Sequence, residues 1–176
     1  MFTSDASFFP EYLFISLLLF SLVTDITEKT IPNLLVLLVL VSGFSTQLIT
    51  NSYPGLINAL IGVLAGFLIF LPFHLSGGMR GGDIKLMAAC GAYMGIDTPL
   101  AAGLSLLAGS VPSLIVLYDR HGLRSYVSHY LAILLEFIGT TKFIYQPPAN
   151  TEAAASSFPY AAAIVTGCLS VLFIFN

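Results

Sequence analysis

The sequence predicts an all-α, polytopic membrane protein with about six transmembrane helices and one interfacial amphipathic helix before the last span. Three observations carry that prediction. Of the 176 residues, 57% are hydrophobic and only 9% charged, against roughly 25% charged in a soluble domain. The 15 charged side chains are too few to solvate a particle of 18.8 kDa. The apolar residues come in runs close to the roughly 20 that a spanning helix needs. Finally, every Lys and Arg falls within or beside alternate connections between those runs. A soluble enzyme, a disordered chain and a nucleic-acid binder with a basic face are thereby excluded. The length fits one integral-membrane domain over residues 1–176.

The first run, Phe8–Thr24, lacks the basic flank of a signal peptide. Asp5 and Glu11 stand there instead, so it reads as a retained helix. Asn33–Ile49 and Gly55–Leu75 follow, separated by the turn chemistry of Thr50-Asn51-Ser52-Tyr53-Pro54. A Gly-rich break from Ser76 to Gly82 leads into a shorter run, Ile84–Gly95, then Pro99–Tyr118 and finally Pro159–Phe175. Between the last two, Leu123, Tyr126, Val127, Tyr130, Leu131, Leu134, Leu135 and Ile138 recur on one helical face, with Arg124, Ser128 and Glu136 opposite. That pattern predicts a helix lying in the interface. A seventh span near Tyr126–Tyr145 is the rival reading, but it would put His129 and Glu136 in lipid. Gln146-Pro147-Pro148-Ala149-Asn150 reads as a linker.

With six spans, Lys29 lies in the first connection, Arg80 and Lys85 flank the third, and Arg120, Arg124 and Lys142 belong to the fifth. The N-terminal tail and the second and fourth connections hold no Lys or Arg. All the basic residues thus fall on one side, the cytoplasmic one by the positive-inside rule, and both termini face out. Cys90 and Cys168 sit inside apolar runs without a C-x-x-C pair and read as small buried residues. His74, His121 and His129 have no carboxylate at ligand spacing, and no serine has a plausible triad, so no metal and no cofactor is expected.

Two aspartates stand on the predicted cytoplasmic side. Asp25 ends the first span and Asp83 opens the fourth, each at the edge of an apolar run. Ionisable groups there are costly and are often functional. Two facing carboxylates that share a proton can hydrolyse an amide: one takes a proton from water while the other polarises the carbonyl. The competing reading makes both of them helix caps, since Asp83 immediately precedes an apolar run. Spacing alone leaves the two readings open.

The surrounding residues separate them. Asp25-Ile26-Thr27-Glu28-Lys29-Thr30-Ile31-Pro32-Asn33 and Gly81-Gly82-Asp83-Ile84-Lys85-Leu86 together resemble the two signature segments of the type IV prepilin peptidases, membrane aspartyl proteases of the Gly-x-Gly-Asp type. Phe158-Pro159-Tyr160-Ala161-Ala162-Ala163-Ile164 is similar to the segment that opens the last helix in their short, single-domain branch, which serves Flp-type tight-adherence pili. The resemblance implies an aspartyl endopeptidase of the bacterial inner membrane. It would remove the leader from prepilins at the cytoplasmic face, with Asp25 and Asp83 as the catalytic pair. Its implied partners are prepilins and membrane lipid, not nucleic acid.

Supporting roles follow from residue chemistry. Pro32 fixes φ at the end of the first connection, and Asn33 starts the second helix. Gly81 and Gly82 let the backbone approach a substrate strand, or simply form a flexible loop. Lys85 either tunes the pair or, in the favoured reading, snorkels to head groups. The pattern departs from the family at Arg80, where the first Gly would stand; a cation there is expected to favour the ionised form of Asp83. Ala161 replaces a further Gly. Larger members add a cytoplasmic domain with two C-x-x-C pairs tied to N-terminal methylation, which this sequence lacks, so peptidase activity alone is expected. The alternative is a non-enzymatic membrane subunit or small transporter in which the two Asp bind a cation. Against it, both lie at one edge rather than at the midplane, and no related halves are detectable. A presenilin-like protease is disfavoured because its Tyr-Asp and Pro-Ala-Leu segments are missing.

Overall fold

The computed structural model describes residues 5–75, 79–119 and 160–175. The predicted interfacial helix, Arg120, Arg124, Lys142, His121 and His129 lie outside the described residues. Every element described is helical: α1 (Asp5–Glu28), α2 (Asn33–Leu75), α3 (Gly81–Met94), a 3-10 turn (Gly95–Asp97), α4 (Thr98–Asp119) and α5 (Ala161–Phe175). Three stretches, Pro10–Glu28, Asn33–Leu75 and Gly81–Val111, are long and apolar enough to cross a membrane, and Ala161–Ile174 is a shorter apolar helix.

The turn expected at residues 50–54 contracts to a single residue. Within α2 only Ser52 leaves helical geometry, with φ 56° and ψ −137°, and there the chain reverses. Lys85 reaches Asn33 and Gln47 bonds the Tyr93 carbonyl, so the first arm of α2 runs beside α3 in the same direction. Asn58 accepts the N–H of Ile96 while Gly66 lies against Met87, so the second arm runs the opposite way. The hairpin therefore straddles α3. Close approach is possible because Gly62 and Gly91 meet backbone to backbone: a Cβ on either would strike the other's carbonyl.

α3 is buried almost all round, and its Ala88-Ala89-Cys90-Gly91-Ala92 run keeps it thin enough to be enclosed. Gly167 of α5 faces Ala101 and Ser105 of α4, and Gly109 faces Tyr160, so these two helices are antiparallel through small residues. Phe14 stacks on Tyr93 with centroids 4.1 Å apart. Cys90 and Cys168, both buried, meet between α3 and α5.

Outside, the molecule is apolar: Leu34, Ile49, Ile57, Leu107 and Phe173 are exposed. So contiguous an apolar surface fits lipid rather than water. Polar groups gather at the two ends. One end carries Asp25, Asp83, Lys29, Arg80 and Lys85 around a cleft. At the other, Glu11, Gln47, Asn51, Asn58 and Asp97 line a cavity of about 330 Å3.

Candidate active site

Asp25 lies on the inward stripe of α1. Phe14, Leu18, Ser21 and Asp25 recur at helical spacing and are all buried. Ser21 and Thr24 return their hydroxyls to their own helix, to the Leu18 carbonyl at 2.7 Å and the Ser21 carbonyl at 3.0 Å, and so leave no orphan beside Asp25. The helix then ends in a left-handed residue, Lys29, with φ 54°. Its N–H bonds the Asp25 carbonyl at 3.1 Å, and its own carbonyl turns toward the third connection.

From that connection comes Arg80, extended at φ −80° and ψ 155°, immediately before α3. Its backbone N–H donates to Asp83 Oδ2 at 3.1 Å, and its carbonyl accepts the Asp83 N–H at 3.1 Å. This is one half of a capping box. The cap reading of Asp83 is therefore realised, but on one oxygen. Among the described residues Oδ1 has no bond, although Asp83 as a whole is only 3% exposed.

Asp25 is 2% exposed and has both oxygens engaged. Oδ1 accepts Arg80 Nη1 at 3.2 Å, and the same nitrogen donates to the Lys29 carbonyl at 2.6 Å. Oδ2 accepts the N–H of Ala161 at 3.0 Å, the first residue of α5, whose positive end suits a carboxylate. Beneath it Tyr160 stands edge-on to Phe70, with centroids 6.1 Å apart. Both aspartates open on one cleft of about 210 Å3 that also exposes Lys29, Arg80 and Lys85. Two acids and three cations thus share one small space.

The supporting residues differ from expectation in part. Gly81 and Gly82 do not form a loop; they are the first turn of α3. A Cβ at Gly82 would make ordinary contact with Ile31 at 3.5 Å, and one at Gly81 would lie 3.7 Å from His74, so internal packing does not demand glycine at either position. Asn33 is the first residue of α2, as expected. The Pro32 carbonyl takes the N–H groups of Leu35 and Val36, at 3.0 and 3.3 Å, which puts Pro32 at the cap. Asn33 Oδ1 accepts Lys85 Nζ at 3.3 Å, so Lys85 ties α3 to α2. The guanidinium of Arg80 turns to Asp25, not to its sequence neighbour Asp83.

Two contacts had no signal in the sequence. The Lys29 carbonyl is aimed by a backbone conformation that Lys rarely adopts, and the Ala161 N–H arrives from the far end of the chain. Among the described residues, no three His, Cys, Asp or Glu side chains converge as a metal site would require.

Residues 12–118, which include both aspartates, match the type IV leader peptidase family. A stretch of 107 residues is 38% identical to the prepilin leader peptidase/N-methyltransferase of Bacillus subtilis (strain 168), covering 58% of this chain and 42% of that protein. The protein of the same name from Aeromonas salmonicida (strain A449) is 35% identical over 107 residues, or 55% of this chain and 36% of the relative. The match thus spans less than half the length of these relatives. No solved structure matches.

Proposed function

Because this chain belongs to the type IV leader peptidase family, we propose that it is an aspartyl endopeptidase that removes the leader from prepilins, with Asp25 and Asp83 as the reacting pair. One observation carries the proposal: two buried carboxylates, on helices far apart in the sequence, open on one cleft at one end of the bundle. Burial gives the pair a low-dielectric site in which a single proton is shared and charge on the substrate is strongly felt.

In the proposed reaction a water between the two carboxylates attacks the scissile carbonyl carbon. A carboxylate offers about four lone-pair sites, so Asp25 still accepts the water proton while Arg80 and Ala161 hold it. Asp83, whose Oδ1 is uncommitted among the described residues, carries the proton donated to the carbonyl oxygen as the tetrahedral intermediate forms. Collapse returns a proton to the departing amine and breaks the C–N bond. Gly82 borders the cleft, and its missing Cβ leaves room for an extended substrate backbone.

The reading includes six spans, one for each of the alternating helical arms, with the cleft at the cytoplasmic face of a bacterial inner membrane. The basic residues support that orientation: Lys29, Arg80 and Lys85 share the cleft end, whereas the opposite cavity is lined by Glu11 and Asp97. Prepilins of the Flp type are the proposed substrates, on the likeness of the segment at Pro159-Tyr160. Location at an edge argues against cation transport, which would use the midplane.

The test is co-expression with candidate prepilins and detection of the shortened product. Asp83→Asn should reduce cleavage by at least about 1000-fold, and adding Asp25→Asn should take little more away, as befits groups that act as one unit. Efficient processing by Asp83→Asn would remove the aspartyl mechanism.

A further inference from the structure

We propose that Arg80 is the positioning residue of this site, a single side chain and backbone unit that sets the two carboxylates relative to each other. The inference rests on the reading of Asp25 and Asp83 as the reacting pair. It goes beyond that reading because the position would be Gly in the pattern that the chain resembles, and glycine has no side chain with which to do this.

The geometry is specific. The Arg80 N–H holds Asp83 Oδ2 at 3.1 Å, while its guanidinium holds Asp25 Oδ1 at 3.2 Å. Nη1 also donates to the Lys29 carbonyl at 2.6 Å, which ties the guanidinium to the end of α1 as well as to the carboxylate. One residue therefore touches both acids and the backbone that carries one of them. An ion pair on a wet surface would count for little. Here the Asp25 side chain is 1% exposed and that of Arg80 25%, so the acid is enclosed and the cation stands at the mouth of the cleft. Among the described residues Asp25 has one other anchor, the Ala161 N–H on Oδ2. With only that contact, the carboxylate can rotate about its remaining bond, and the Oδ1 that faces Arg80 is no longer oriented.

Positioning is distinct from substrate binding and from general stability, and the kinetics separate them. In proteoliposomes carrying the full chain, Arg80→Gly and Arg80→Met should lower kcat by about 10- to 100-fold, the scale of a misplaced reacting group. KM should stay nearly constant, because substrate contacts are kept. Guanidinium ion at millimolar concentration should restore much of the kcat of Arg80→Gly, whereas sodium at the same ionic strength should not. Arg80→Lys, which keeps charge without the planar fork, should recover only part of the rate. A second readout needs no turnover: modification of Asp25 by a hydrophobic carbodiimide, mapped by mass spectrometry. Asp25 should be protected in the wild type and several-fold more reactive in Arg80→Gly.

Unchanged kcat in both Gly and Met variants would overturn the proposal. So would a loss expressed in KM, or a loss of kcat that guanidinium does not restore. If the wild type cleaves no prepilin, the proposed function fails and the labelling decides alone: equal Asp25 reactivity in wild type and Arg80→Gly removes the positioning role.

Discussion

Among the described residues, Asp25 commits both of its oxygens to N–H donors, whereas Asp83 commits one. Replacing each by Asn is therefore a different experiment at the two positions. At Asp83 the amide oxygen can keep the Arg80 N–H and turn its NH2 into the cleft. At Asp25 an NH2 must face either the guanidinium or the Ala161 N–H, donor against donor. Asp25→Asn should lower stability by about 1–3 kcal/mol, the cost of an unsatisfied buried group, while Asp83→Asn should leave it near wild type. Thermal unfolding of the two variants in the same detergent checks this. Both aspartates were legible in the sequence, from their place at span edges and from the residues around them. The partner of Arg80 was not. Proximity along the chain favoured Asp83, whereas the guanidinium pairs with Asp25 and with the Lys29 carbonyl that follows the left-handed turn. A non-glycine residue with φ 54° leaves no mark in a hydropathy pattern.

At the scale of elements, the helical class and the apolar runs could be read directly, because residues in lipid must satisfy their backbone bonds within the helix. What could not be read is how tightly the helices approach. Gly62 and Gly91 lie inside apolar runs, and their pairing across α2 and α3 depends on the hairpin at Ser52. Gly91→Val should destabilise by about 3 kcal/mol or prevent folding, since the obstruction is backbone and has no room to yield. Ser52 makes the opposite case. Its φ 56° and ψ −137° nearly repeat those of Gly95, φ 60° and ψ −125°, where glycine does occur. Ser52→Gly should therefore raise stability by about 1 kcal/mol by relieving backbone strain. Melting temperatures of these two variants, taken alongside wild type, test the hairpin geometry from both sides. The first turn of α3 is a further case: Gly81 and Gly82 suggested a loop by composition, but the bond from Arg80 to Asp83 starts the helix at Gly81.

The whole molecule turns on the arrangement that encloses α3. A helix of 14 residues is about 21 Å long, yet the hydrocarbon layer of a typical bilayer is about 30 Å thick. Both ends of α3 are fastened: Asp83 and Arg80 hold one, and at the other Asn58 meets Ile96 and Gln47 meets Tyr93. The inner helix therefore cannot tilt or slide to make up the difference, and its polar ends must be met by the membrane. On the proposed orientation a helix this short sets the carboxylates below the level of the surrounding head groups, and a thinner bilayer, a dimple over the cleft, brings water closer to them. The thickness of the surrounding lipid then becomes a control on the proposed cleavage. In vesicles of dimyristoleoyl phosphatidylcholine the dimple is shallow, and prepilin cleavage should be fast. In dierucoyl phosphatidylcholine the longer chains close over the cleft, and turnover should fall several-fold without a matching loss of folded protein.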